Sequence, residues 1–396
     1  MKKNGIFLPL MLLLCYTGSA MAQDPKLNGL EFAVKMADSE MKQFPEPWTV
    51  DFNPSPVWNY TQGLIAQSMM QLETVTHHKA YYNYAEKYAL HFIDNSGAIL
   101  GYRPEEHNID AVNSGKFLFD LYKTSKDERY LRAIKFLRNQ LNLQPRTKEG
   151  GFWHKQRYPN QMWLDGLYMG APFYAQCAAF FNESTAFDDV VNQFIVIHKH
   201  TYNAVAGLNY HGWDESKLQK WADPQTGCSP NFWGRAEGWF AMALVDALDF
   251  IPKEHAGHAK LIEILNQVAV GVKKYQDPVT GLWFQVLDQG NKEGNYLEAS
   301  ASSMFTYALL KAARKGYISE QYQETARKGY SGLIKYLIRE NPDGTIRLTK
   351  CCSVAGLGGK PYRSGSYDYY IHEPVRDNDA KGVGPFIMAS IEFSKK

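Results

Sequence analysis

GGFWH (Gly150–His154) and GLNYH (Gly207–His211) are two statements of one phrase. Each opens on a glycine after a stretch of helical periodicity, passes through an extended apolar or aromatic pair, ends in histidine and leads toward the next helical stretch. The same form is present in GAILG from Gly97 and GLWFQ from Gly281, and more weakly in GTIRL from Gly344, at successive intervals of 53, 57, 74 and 63 residues. A glycine that reverses the chain after a helix, followed by an extended entry into the next helix, is how a helical-hairpin repeat is written in sequence.

Around these phrases apolar residues recur at helical spacing over residues 26–43, 58–73, 77–95, 109–123, 127–142, 161–181, 184–202, 233–250, 254–276, 294–315, 318–339 and 381–394. Helical hairpins cannot bury their apolar faces singly. Closing six of them into a ring of inner and outer helices buries every face around one core, so the expectation is an all-α, (α/α)6 barrel. No Pro/Gly/Ser-rich linker interrupts the repeats, which places residues 23–396 in a single domain. The phrases occupy the same place in each repeat and are expected at one end of the barrel, where loops converge.

The N-terminal MKKNGIFLPLMLLLCYTGSAMA carries two lysines, an apolar run from Ile6 to Cys15 and a small-residue AMA ending at Ala22. It reads as a cleavable export signal over residues 1–22, with a periplasmic or secreted product. Cys15 lacks the small residues that precede an acylated cysteine, so plain export is expected over lipid anchoring. No later stretch reaches the roughly 18–20 apolar residues of a membrane span. Lys+Arg 43 against Asp+Glu 41 leaves no broad electrostatic footprint for nucleic acid or an anionic membrane. Cys177, Cys228, Cys351 and Cys352 show no metal-binding spacing and read as buried or incidental thiols, with one pairing between distant cysteines left open. No metal and no cofactor is expected, and neither a Walker A nor a Rossmann glycine pattern is present.

Two aspartates fall early in the helix that follows a phrase. Asp165, in QMWLDGLYMGAPFY, follows Gly150 by 15 residues, and Asp110, in HNIDAVNSGKFLFDLY, follows Gly97 by 13. Neighbouring inner helices would present both carboxyls to one cavity. A helix N-terminus favours ionised Asp165, whereas Trp163 and Met169 would desolvate it and favour the protonated form, opposed pulls that suit a proton-transfer group. Gly166 and Gly170 are read as helix-packing positions and Pro172 as a bend. His154 and His211 share one slot of the repeat, four residues after Gly150 and Gly207, and Gln285 takes the same slot after Gly281. Three hydrogen-bonding side chains in one equivalent position point to ligand contact. In PNFWGRAEGWFAMAL, Arg235 and Trp239 lie four apart on one helical face and Trp233 precedes them. That is a cation framed by indoles, suited to a sugar ring with a carboxylate held by the guanidinium. The 14% aromatic content fits carbohydrate handling.

The stretches HKQRYPNQMWLDGLYMGAPFYAQCA, NIDAVNSGKFLFDLY, NFWGRAEGWFAMALVDAL and EPVRDNDAKGVGPFIMAS together resemble the unsaturated rhamnogalacturonyl hydrolases, glycoside hydrolase family 105, over essentially the whole chain beyond the leader. The resemblance implies a six-hairpin α/α barrel, Asp165 as catalytic acid/base with Asp110 as partner carboxylate, and Tyr60 (in VWNYTQGL), His154, Trp163, His211, Trp233, Arg235 and Trp239 at the substrate. It also implies a reaction. A lyase-generated oligosaccharide ends in a uronic acid with a C4=C5 vinyl ether, and this bond is hydrated instead of the glycosidic bond being displaced. The expected substrate is unsaturated galacturonyl-rhamnose from rhamnogalacturonan. Unsaturated glucuronyl groups on ulvan, arabinogalactan or glycosaminoglycan fragments are the alternative within the fold, and a non-catalytic periplasmic oligosaccharide-binding barrel is the alternative outside enzymology.

Overall fold

The computed structural model describes Met1 and residues 28–395; the expected export signal, Met1 aside, and its Cys15 lie outside the described residues. Among these residues six helical hairpins follow one another. They are α1 (Gly29–Gln43) with α2 (Tyr60–Thr76), α3 (Lys79–Phe92) with α4 (Leu118–Ser125), and α5 (Glu128–Leu143) with α6 (Leu164–Phe181). The second half adds α7 (Ala186–Thr201) with α8 (Gly234–Ala247), α9 (Ala256–Lys274) with α10 (Ala299–Arg314), and α11 (Tyr322–Gly332) with α13 (Ala380–Ser394), the short α12 (Tyr367–His372) lying in the last connection. The inner helices pack on one another around the ring, with the 3-10 segment Ile109–Gly115 ahead of α4 packing between α2 and α6, and α13 closes the ring by packing on both α10 and α2. The architecture is an (α/α)6 barrel.

Composition decides which helix goes inside. Every residue of α10 from Ala299 to Ala313 is buried, and α13 is buried from Ala380 to Glu392, because each has neighbours on both sides and the outer layer behind. Outer α5 instead buries Tyr130, Ala133, Ile134, Leu137, Gln140 and Leu141, the one stripe that a surface helix turns to the core.

The phrase glycines do what the repeat reading requires. Gly97, Gly150, Gly207, Gly281 and Gly344 have φ of +86°, +86°, +76°, +77° and +79°, a region that costs other residues about 1 kcal/mol or more. Their amides donate back to the carbonyls of Asp94, Thr147, Asn203, Asp277 and Asn341 at 2.7–3.0 Å, closing a turn three residues back at Gly97, Gly150 and Gly344 and four residues back at Gly207 and Gly281. Gly271 of α9 permits a further close approach, since a Cβ there would lie 1.9 Å from the Gly207 carbonyl oxygen. Short strands trim the same end. β1 (Gln161–Trp163) lies antiparallel to β4 (Gly212–Asp214), while β2 (Tyr202–Asn203) pairs β3 (Leu208–Asn209) across the third phrase. Likewise β5 (Ile338–Glu340) pairs β6 (Ile346–Leu348) across the fifth, and β7 (Cys351–Cys352) pairs β8 (Val375–Arg376).

Three predicted helices differ in detail. The helix expected over 109–123 is broken into a 3-10 segment, Ile109–Gly115, and α4. Asn113 donates to the Tyr60 carbonyl at 3.1 Å and the Ser114 hydroxyl to that of Asn59 at 2.6 Å, so the tighter winding serves side chains that satisfy the start of α2. Residues 161–163, expected as helix, form β1. The helix expected over 318–339 ends at Gly332 and passes through a π turn, Leu333–Leu337, into β5. Pro172 sits inside a continuous α6. Gly166 and Gly170 do serve close packing: a Cβ would meet His154 Nδ1 at 2.8 Å and Ile109 Cδ1 at 2.6 Å. Cys177, Cys228, Cys351 and Cys352 are buried free thiols, and no helix among the described residues is long and apolar enough to cross a membrane.

Candidate active site

The inner helices all begin at the phrase end, where a cleft of about 620 Å³ is lined by Tyr60, Asp110, Asp165 and Lys381 from the first turns, with the starts of α8 and α10 buried behind it. Asp165, Arg235, Ser300 and Lys381 are the second residues of α6, α8, α10 and α13. Asp110 is the second residue of its 3-10 segment and Tyr60 the first of α2. The repeat that makes the barrel thereby delivers one chemically distinct side chain per hairpin to the same level. It also aims helix N-termini, with their positive dipole ends, at the same space, which favours a negatively charged occupant.

Asp110 is 7% exposed and doubly paired. His154 Nε2 lies 3.1 Å from one of its oxygens and the Lys155 ammonium contacts the other. Burial pushes this carboxyl up, but the charges and hydrogen bonds of Lys155 and His154 outweigh it and hold Asp110 well below the usual carboxylate range. The ionised form is favoured by folding, so this contribution to stability holds above the unfolded carboxylate value of about 3.9 and fades as pH falls below it. Lys155→Met is expected to move the Asp110 pKa up and the acid limb of the kcat/KM profile to higher pH, as a pH–rate profile would show. An unmoved acid limb would separate Asp110 from the titration.

Asp165 is differently placed. The antiparallel register that sets Trp163 opposite Gly212, with the Leu164 amide donating to the His211 carbonyl at 3.0 Å, brings Asp165 beside His211. Their Oδ2 and Nε2 atoms are 3.1 Å apart, although neither makes an aligned hydrogen bond. His211 is fully buried, and burial outweighs the Asp165 charge to push its pKa down, favouring the neutral ring. Tyr370, whose hydroxyl burial keeps protonated, stands 2.7 Å from His211 Nδ1. Donation from that hydroxyl places the ring proton on Nε2, facing Asp165. Asp110 and Asp165 therefore differ in kind: Asp110 has its ionised form favoured by two cationic or hydrogen-bonding partners, and Asp165 faces a neutral imidazole.

Of the other sequence-derived candidates, Tyr60, His154 and Trp163 line the cleft beside the two aspartates. Trp163 stacks on His154 at 4.6 Å and on Tyr158 at 4.7 Å between ring centroids. Burial first, and then Asp51 and Asp110, raise the Tyr60 pKa, so its hydroxyl remains a donor. His211, Trp233, Arg235 and Trp239 form the layer behind. The Arg235 guanidinium does lie over Trp233, 4.7 Å from the ring, as the framed-cation reading requires. It is only 1% exposed and donates to the Ser300 hydroxyl and the Cys352 carbonyl. Trp239, also 1% exposed, stacks on Tyr168 beneath Tyr60. Gln285 does not reach the cleft: it accepts from the Trp233 indole at 3.1 Å and donates to the Tyr370 carbonyl, supporting the wall from behind.

Residues outside the sequence-derived set also line the cleft. Lys155 adjoins His154; Lys381 occupies in α13 the position of Asp165 in α6, and with Arg376 it pairs Asp51 and Asp379. The helix-start slot identified for the aspartates could have found Lys381. Arg363, at the cleft, and Tyr370, buried behind it, come from the long connection before α13, beyond its phrase glycine Gly344.

The profile of glycosyl hydrolase family 88 matches residues 32–396. The chain belongs to that family. A solved family 105 glycoside hydrolase from Clostridium acetobutylicum, described as "C. acetobutylicum ATCC 824", is similar at 46% identity, covering 91% of this chain and 99% of its own, with a TM-score of 0.88. Protein Atu3128 of Agrobacterium fabrum is 43% identical over 230 residues, 57% of this chain and 97% of that protein. The unsaturated rhamnogalacturonyl hydrolase YesR of Bacillus subtilis is 29% identical over 213 residues, 52% of this chain and 59% of that protein. This family 88 glycosyl hydrolase is thus an oligosaccharide-directed enzyme, and the family 105 resemblance seen in its motifs extends to the whole fold.

Proposed function

We propose that the protein removes a terminal 4,5-unsaturated uronic acid from lyase-generated oligosaccharides by hydrating the C4=C5 vinyl ether, with Asp165 as general acid/base. The observation that carries this reading is the inequality of Asp110 and Asp165, since a carboxyl paired with Lys155 and His154, which favour its ionised form, and one beside a neutral imidazole suit a stabilising anion and a proton carrier respectively.

Protonated Asp165 delivers its proton to C4, and positive charge develops on C5 and the ring oxygen, where the anionic Asp110 stabilises it. Water adds at C5 as the Asp165 carboxylate accepts its proton. The resulting hemiketal opens to a C5 ketone, leaving C1 as a hemiacetal that collapses and releases the aglycone. One water is consumed and Asp165 ends protonated. The uronate carboxylate, attached to C5, falls among the helix N-termini, and Arg235, whose Nε has no partner, backs that wall. The spacing rule for two-carboxylate displacement at the anomeric carbon does not govern this reaction.

Rhamnose is the proposed aglycone, supported by the motifs resembling rhamnogalacturonyl hydrolases and by the similarity to YesR. The leader supports action outside the cytoplasm. Lyase-generated disaccharides from rhamnogalacturonan, ulvan, arabinogalactan and chondroitin, followed by loss of ultraviolet absorbance, test this reading. Preference for the rhamnose-linked uronate is expected, and activity confined to the chondroitin product would replace rhamnogalacturonan as the source.

A further inference from the structure

Four of the cleft's six cations are neutralised: Arg103 by Glu106, Lys155 by Asp110, and Arg376 and Lys381 by Asp51 and Asp379. Arg157 and Arg363 have no carboxylate partner among the described residues. They converge on one feature. The Arg157 guanidinium lies 5.1 Å from the Tyr158 ring, and Arg363 donates to the Tyr158 hydroxyl at 2.8 Å while standing 5.9 Å from Trp163. Tyr158 and His154 both stack on Trp163 with their own ring centroids 6.4 Å apart, and His154 is paired to Asp110. Arg157 is exposed on the Tyr158 side of this cluster. Arg363 is fixed there by donation to the carbonyls of Gly358 and Leu357, so its position does not depend on a ligand.

We infer that Arg157 and Arg363 form an aglycone-side subsite for an anionic group, a carboxylate or sulfate on a sugar beyond the cleaved bond. The inference rests on the hydrolase reading above and deepens it by naming a substrate class. The uronate's own carboxylate is the poorer target, because it hangs on C5, the atom next to the one Asp165 protonates, whereas Arg157 is an exposed side chain set against the Tyr158 ring. A ring seated on Trp163 directs its aglycone along Tyr158 toward the rim. The two guanidiniums, one rigid and one adaptable, meet an acidic substituent there with charge-assisted hydrogen bonds.

The test compares kcat/KM for three unsaturated substrates: a disaccharide with a neutral aglycone, a tetrasaccharide with a second uronate, and a disaccharide sulfated on its aglycone. The wild type is expected to prefer at least one acidic substrate over the neutral one by roughly ten-fold, carried by KM, and Arg157→Gln and Arg363→Gln are each expected to shrink that ratio. Added salt should shrink it too. The responding arm identifies carboxylate or sulfate. A wild-type ratio near one for both acidic substrates, or a ratio unchanged in both variants, overturns the subsite while leaving the hydrolase intact. Failure of the wild type to act on any of the three overturns the hydrolase reading itself. Because Arg157 is exposed, its variant remains informative even if Arg363→Gln fails to fold.

Discussion

Asp165→Asn is expected to leave a folded, substrate-binding protein whose turnover is lower by about two to four orders of magnitude, the usual worth of a positioned general acid/base. The amide keeps the size and dipole of the carboxyl but has no proton to give C4 and cannot take one from water. The fold should tolerate it, because the Asp165 carboxylate makes no aligned hydrogen bond and its side chain keeps 15% exposure. The change leaves in place the proposed contacts of Trp163, His154 and the rim. The check is kcat from ultraviolet loss beside substrate-induced protection against thermal unfolding, which reads binding separately. Turnover within ten-fold of wild type would remove Asp165 from the proposed role.

The second large effect is on stability. Glu298 is fully buried ahead of α10, where its carboxylate accepts from the Ala301 amide at 2.6 Å, the Ser300 hydroxyl at 2.8 Å and the Cys352 amide at 2.9 Å. Ser300 also receives Arg235, and the Glu298 field favours the Arg235 charge. Glu298→Ala therefore uncaps an inner helix, frees β7 and strands a buried guanidinium on neutral partners. A loss of about 3–5 kcal/mol is expected, read as a lower denaturant midpoint. Glu298→Gln should lose less, since its amide oxygen still accepts from Ala301. Combining it with Arg235→Met should cost less than the two single changes added together, because the stranded charge goes too. A midpoint within error of wild type for Glu298→Ala would mean that the Glu298–Arg235 arrangement does not hold this wall.

These two residues also show how far the sequence could be read. Asp165 was accessible because the barrel is periodic: a phrase glycine fixes where the next inner helix starts, and the start of each inner helix is the cleft. The same rule places Asp110, whereas Arg235 is found from its helical spacing to Trp239 and the neighbouring Trp233. The rule also reaches Lys381, which was missed because the connection before α13 is much longer than the others and hides the spacing. Arg363, Tyr370 and the β7–β8 pair lie in that connection beyond Gly344, in a stretch with no counterpart in the other repeats. The layer behind was legible as a cluster but not as a depth. That Trp233 and Arg235 are neighbours follows from helical spacing, whereas their near-complete burial depends on what α10 and the last connection lay over them. The split helix at Ile109–Gly115 was hidden for a related reason: its winding is set by bonds from Asn113 and Ser114 to α2, far away in sequence.

The central claim is that the double bond, and not the glycosidic bond, is what the enzyme attacks. The most direct measurement is kcat/KM on a matched pair of oligosaccharides that differ only in saturation at C4–C5 of the terminal uronate. The hydration account predicts hydrolysis of the unsaturated member with loss of its ultraviolet absorbance, and no detectable release of aglycone from the saturated member, because Asp165 then has no vinyl ether to protonate. Comparable cleavage of both members would contradict it.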